Sequence, residues 1–192
     1  FRRVLFRSIS VVLATYNWPQ ALRLCLQSLA NQTDKHFEVV IADDGSTEET
    51  AQLIQYYAPS LSLETRHVWQ ADMGFRKAMV LNKAIAESLG EYLVFLDGDC
   101  LVQPDFIERH RELSQSGYMV TGSRVLIGKT LTKKLCDNGN WSYKECMRSV
   151  FRYRLTGEIN KLFPLLLKMP DAPVRIYNKF VWKRIKGCNM AV

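Results

Sequence analysis

A chain of 192 residues that is 47% hydrophobic carries enough apolar side chain for one sizeable core, and its composition excludes disordered, collagen-like and disulfide-scaffold classes. Its formal charge of +7 is unevenly divided: residues 9–128 hold 9 Lys/Arg against 15 Asp/Glu, and residues 129–186 hold 14 against 4. The half that carries the motifs described below is acidic, which makes nucleic acid a poor partner.

Arg2, Arg3 and Arg7 supply the remaining positive charge, in a segment, Phe1–Ser8, that lacks an initial Met. It reads like the translated end of a sequencing-library adapter, so residues 1–8 are set aside from fold reasoning. On that reading the chain is a fragment, and its stop at Val192 is expected to be a truncation. Five cysteines (25, 100, 136, 146 and 188) form no C-x-x-C pair, and His36, His67 and His110 do not cluster with them. That pattern argues against a zinc site or a secreted disulfide framework and fits a reducing cytosol. No apolar run approaches the ~20 residues that cross a bilayer.

Ile9–Ala14 is a short β-rich apolar run, stopped by Thr15-Tyr16-Asn17-Trp18-Pro19. Leu22, Cys25 or Leu26, and Leu29 then recur at helical spacing over about 20–31. Phe37–Ala42 is a second strand, ended by Asp43-Asp44-Gly45-Ser46-Thr47. Ser46 or Thr47 is placed to cap a helix whose first turn carries Glu48 and Glu49 and which ends before Pro59. Leu61–Trp69 reads as a third strand, interrupted by Glu64, Arg66 and His67. A helix over about 75–89 follows, closed by Gly90 as a left-handed cap. Tyr92–Leu96 is a fourth strand, Pro104 opens a helix that ends at Gly117, and Tyr118–Thr121 is a fifth strand.

Strands apolar on both faces and alternating with helices predict an α/β fold: a mostly parallel, Rossmann-like sheet with helices on both faces. Ligands bind such sheets beyond the carboxyl ends of the strands. Residues 129–186 are expected to be a basic, irregular insert, with a kinked amphipathic element at Leu162–Leu167. Gly187–Val192 resumes a strand-like pattern.

Three clusters carry chemistry. Asp97 and Asp99 flank Gly98 directly after a strand, so two carboxylates are set where the backbone can approach a ligand closely. Such oxygen donors suit Mg²⁺ or Mn²⁺ shared with substrate phosphates, although acidic residues are equally common in plain surface turns. Asp43-Asp44-Gly45-Ser46 is explained largely by turn and cap chemistry, which does not require both aspartates; one is free to accept hydrogen bonds from a base or ribose. Arg76 and Lys77 sit at a helix start, where cations oppose the helix dipole and call for an anionic neighbour. A diphosphate would supply it; two solvated charges are the plainer alternative.

Taken in order and spacing, Ser10–Asn17, Asp43–Ser46, Gly74-Phe75-Arg76-Lys77-Ala78 with Leu81-Asn82, and Asp97-Gly98-Asp99 closely resemble family 2 glycosyltransferases of GT-A fold. The resemblance covers residues 9–128, a nucleotide-sugar-binding core, and sets 129–186 apart as an acceptor-side insert and 187–192 as the start of a truncated remainder. It implies that Thr15, Tyr16, Asn17 and Asp44, with Asp43 nearby, hold the nucleoside. Lys77, with Arg76 and Asn82, belongs to the diphosphate side. Asp97 with Gly98 meets ribose or metal, and Asp99 meets the metal.

The implied activity is inverting transfer of a sugar from a nucleoside diphosphate, UDP by expectation, to a saccharide or lipid-linked saccharide. This is the chemistry of bacterial surface-polysaccharide or lipopolysaccharide assembly, a hexosyltransferase when intact. The general base is expected beyond Val192, because Asp137, Glu145, Glu158 and Asp171 precede Gly187, so the chain alone is expected to bind donor and metal without turnover. The basic segment is expected to touch anionic lipid headgroups, making the protein cytoplasmic and peripheral at the inner membrane, or to touch a phosphorylated saccharide, or to be a solvated face. A non-catalytic nucleotide-binding or scaffold domain of the same fold is the alternative. A dehydrogenase is disfavoured because no G-x-G-x-x-G follows the first strand.

Overall fold

The computed structural model describes residues 8–167 and 187–192. Four strands run parallel: β1 (Ile9–Thr15), β2 (Phe37–Asp43), β3 (Thr65–Trp69) and β4 (Tyr92–Asp97). Two short strands, β5 (Val120–Thr121) and β6 (Asn189–Ala191), complete a sheet of order β3-β2-β1-β4-β6-β5, in which β6 is antiparallel to both neighbours. The sheet is therefore mostly parallel, as the alternation of strands and helices predicts.

All seven residues of β1 are buried. Because alternate side chains face opposite sides, Val11 and Leu13 join Val39, Ile41, Val94 and Leu96 beneath α1 (Pro19–Ala30), which contributes Leu22, Cys25, Leu26 and Leu29. Val12, Val40 and Phe95 face the other way, toward Val80 and Ala84 of α4 (Lys77–Glu87). A one-residue slip of β1 would exchange both sets at once, so its register is firmly specified. β3 lies at the sheet edge and is only partly buried, which is why polar Arg66 and His67 are tolerated there.

Several local expectations change. Gly90 is not a left-handed cap: α4 ends at Ser88 with extended backbone, and Gly90 is instead a close approach, since a Cβ there would lie 2.5 Å from the Ser10 amide nitrogen. α2 (Glu48–Gln52) starts after Thr47, which makes no side-chain cap bond, and the Ser46 hydroxyl accepts from the Asn17 amide instead. Pro59 does not stop the helical path, which continues through a π-helical turn (Leu53–Tyr57) into α3 (Ala58–Ser60). There Pro59 occupies a first-turn position, where no amide hydrogen is needed. The helix expected to open at Pro104 is α5 (Phe106–Leu113). Ser8, grouped with the adapter-like segment, extends the β1 edge: its carbonyl accepts from Tyr92 N at 3.3 Å and its hydroxyl from Glu91 N at 3.2 Å.

The described part of the basic segment is helical rather than irregular: α6 (Lys129–Asn138), α7 (Tyr143–Arg148), α8 (Val150–Leu155) and α9 (Phe163–Leu166). α6 ends on Gly139 at φ +63, the left-handed cap. The Gln27 side chain ties this region to α1, donating to the Gly139 carbonyl at 2.9 Å and accepting the Trp141 amide at 2.6 Å. Expectations for residues 168–186, Asp171 among them, lie outside the described residues.

Candidate donor site

The register pairs Thr15 with Asp43 and Ala14 with Asp97, so the carboxyl ends of β1, β2 and β4 come out side by side. The start of α4 closes the opposite side of a cavity of about 300 Å³. Thr15, Tyr16, Asp44, Lys77, Asp97, Gly98 and Asp99 all line it. The structure thus brings together residues separated by up to 84 positions in the chain.

Asp44 is buried, and each carboxylate oxygen has a partner. Oδ1 accepts from Gln70 Nε2 at 2.6 Å and Oδ2 from the Arg76 amide at 2.9 Å. Gly45 next to it has φ +96, and a Cβ there would fall 2.6 Å from Asp72 Cα, so only glycine lets the β2 turn pass the β3–α4 loop. Tyr16 joins the same two loops, donating its hydroxyl to Asp72 Oδ2 at 2.9 Å. That bond holds the phenol pKa above its ordinary value.

Asp43 is fully buried and outside the cavity wall. Its Oδ1 accepts the Ser46 amide at 2.8 Å and its Oδ2 faces His67 Nε2 at 3.0 Å. Burial alone would raise its pKa, but the His67 and Ser46 hydrogen bonds together outweigh burial and hold it below the usual carboxylate range. Asn17 likewise works on the loop: at φ +45 it donates its amide to Ser46 Oγ at 2.9 Å and accepts the Thr47 amide at 2.8 Å. Asn82 is an exposed residue of α4 outside the cavity lining.

The two cations behave differently. Lys77 forms an ion pair with Asp97, each side chain about a third exposed (33% and 30%), so Lys77 finds its anionic neighbour within the protein itself. Arg76 is turned from the cavity, its guanidinium donating to the Ala71 carbonyl at 3.1 Å; its amide, not its charge, reaches the site through Asp44. Asp97 and Asp99 are set by the Gly98 amide, which donates to the Ala14 carbonyl at 2.7 Å and draws the turn against β1. Burial first, then the nearby Asp99 charge, raises the Cys100 pKa, leaving a protonated thiol beside Asp99 at 3.6 Å.

Among the described residues no group of three His, Cys, Asp or Glu side chains could hold a metal alone. Two carboxylates at an open cavity nevertheless fit a Mg²⁺- or Mn²⁺-type ion, which takes one or two protein carboxylates and completes its shell with water and phosphate oxygens. Trp18, Gly74, Phe75 and Val80 also line the cavity. Gly74 and Phe75 belong to the motif that carries the resemblance but are given no role by it, and Trp18 and Val80 are not among the candidate site residues; for Trp18, an aromatic residue just after a strand end is the signal in the sequence.

A mostly parallel sheet flanked by helices, with paired carboxylates at its strand ends and a lysine at the start of the facing helix, fits the GT-A fold. The mannosyltransferase PcManGT of Pyrobaculum calidifontis, solved with GDP-Man and Mn²⁺, superposes with a TM-score of 0.52 at 22% identity, over 66% of this chain and 37% of that one. The family described as Glycosyl transferase family 2 matches residues 10–164, and the chain belongs to it. It is similar to validoxylamine A glucosyltransferase of Streptomyces hygroscopicus subsp. jinggangensis, 36% identical over 102 residues that make up 52% of this chain and 24% of that enzyme. Three of the curated relatives it matches are spanned over only 22%, 24% and 29% of their length.

Proposed function

We propose that this chain is the donor-binding part of an inverting hexosyltransferase that moves a sugar from a nucleoside diphosphate, UDP in our reading, to a saccharide or lipid-linked saccharide. The observation that carries the proposal is the Lys77–Asp97 pair beside Asp99, at the cavity that also contains Asp44. Thr15, Tyr16 and Asp44 form the nucleoside end. Asp44 has both oxygens engaged by fixed donors, so its remaining lone pairs are preorganised to accept from base or ribose. Lys77 steadies Asp97 with one ammonium hydrogen and offers the others to a diphosphate. Asp97 and Asp99 would hold Mn²⁺ or Mg²⁺, which neutralises charge on the leaving diphosphate. Asp43, Asn17 and Arg76 support the site through the loops they fasten, and Asn82 is left as a surface residue. No base for the acceptor hydroxyl is assigned among the described residues.

Calorimetric titration of UDP into the chain with and without Mn²⁺ tests the assignment. Metal-dependent binding that is lost in Asp99→Ala is the expected result; undiminished binding in that variant would remove the metal role.

The protein is further proposed to work at the cytoplasmic face of an anionic membrane. Among the described residues no helix is long and apolar enough to cross a bilayer. Supporting a peripheral contact, α8 exposes Phe151 and Leu155 on the same short helix as Arg152 and Arg154, and α9 exposes Phe163, the apolar and basic mixture that interfacial helices use.

A further inference from the structure

A second, larger cavity of about 770 Å³ lies on the other side of the Asp97–Asp99 turn, reaching toward α5, α6 and β6. It shares three residues with the donor cavity: Asp97, Asp99 and Trp18. The two aspartates mark where a diphosphate and its ion would end. A sugar attached beyond that diphosphate must emerge at the shared wall, and there Trp18 is the side chain common to both cavities that is not a carboxylate.

Trp18 is well anchored for such a position. Pro19 disfavours helical backbone at the residue before it, and Trp18 sits at φ −137, ψ 66 as the residue before α1. Its carbonyl accepts the Leu22 amide at 3.1 Å, and the preceding Asn17 is fastened to Ser46 and Thr47. The backbone is held at both ends while the residue stays 43% exposed at the cavity mouths. A large flat apolar ring with one polar N–H, fixed at its root and left partly wet, is suited to a ligand that presents an apolar face and hydroxyl edges. A pyranose does so: its axial C–H bonds make one face apolar.

We infer that Trp18 is a sugar-positioning residue, its indole covering one face of the transferred hexose where the two cavities meet. The inference rests on the donor-binding reading above and adds to it a contact with the sugar rather than the nucleotide.

The test compares Mn²⁺-supported binding of UDP, UDP-glucose and UDP-N-acetylglucosamine to the full chain and to its Trp18→Ala and Trp18→Phe variants by calorimetry. UDP should bind all three proteins within about twofold, which also reports an intact fold. Whichever UDP-sugar binds the unmodified chain most tightly should weaken on the order of tenfold in Trp18→Ala and less in Trp18→Phe. Equal weakening of UDP and UDP-sugar would make Trp18 a nucleotide contact and overturn the inference. No change for any ligand would overturn it too. Failure of the unmodified chain to bind any of the three would remove the donor reading, and the inference with it.

Discussion

The Asp44 carboxylate caps helix α4 from another strand: its Oδ2 accepts the Arg76 amide at 2.9 Å, at the helix end where intrahelical acceptors are lacking. A residue at the end of β2 thereby sets where α4 begins and where Lys77 stands. Asp44→Ala leaves the Arg76 amide without its acceptor, at a cost of about 1–3 kcal/mol, and leaves the buried Gln70 amide only its longer bond to the Arg76 carbonyl at 3.3 Å. Urea unfolding should show a destabilisation of a few kcal/mol, and UDP affinity should fall with it. Asp44→Asn keeps one acceptor and is expected to lie between Asp44→Ala and the unmodified chain.

Lys77→Met separates affinity from stability. Its partner Asp97 is 30% exposed, so the pair is screened by solvent and the folding cost is expected to stay within about 1 kcal/mol. Removing the cation proposed to face a diphosphate should weaken UDP binding by about tenfold or more. Calorimetry beside thermal melting checks both halves.

Gly45→Ala should be among the most damaging single-methyl changes. The position combines φ +96 with a 2.6 Å approach to the Asp72 backbone, so the added Cβ meets both backbone strain and a collision. A loss of at least ~2 kcal/mol is expected in denaturant melts.

The chain should lose stability in mild acid through His110. Burial pushes its pKa down to about 4, with the hydrogen bond to Asn189 opposing in part, while the unfolded side chain titrates near 6.5. Between those values the unfolded chain takes up a proton that the folded chain refuses. The contribution is therefore complete above pH ~6.5 and declines as pH falls toward 4, by up to about 3 kcal/mol. Asp43 acts lower: its depressed folded pKa gives stability present above ~4 and lost as pH falls through that lowered value. Melting temperature against pH should fall over both windows, and His110→Phe should flatten the slope between 6.5 and 4 only.

Vesicle sedimentation addresses the basic helices. Binding to phosphatidylglycerol-containing vesicles, absent with phosphatidylcholine alone and reduced in Arg152→Glu/Arg154→Glu, is the expected outcome. Equal binding to both lipids would argue against an electrostatic contact.

The sheet was legible in the chain because β1, β2 and β4 are continuous apolar runs ended by polar turns, a pattern that burial on both faces imposes locally. The helices after Gly128 were less legible: they are short, basic and partly held by one distant side chain, Gln27, whose contacts with Gly139 and Trp141 leave no local trace. Gly90 shows the same limit. Its position after a helix suggested a cap, whereas the constraint comes from Ser10, 80 residues away.

By itself the sequence determined the residue types of the site and their places at strand ends, since strand, turn and carboxylate are neighbours in the chain. Only the tertiary structure decided which of them face the cavity. It turned Asp43 toward His67 and Arg76 toward Ala71, paired Lys77 with Asp97, and set Trp18 between two cavities. These outcomes depend on contacts between loops from different strands, and parallel crossover connections bring such loops together in space without any signature at the level of neighbouring residues.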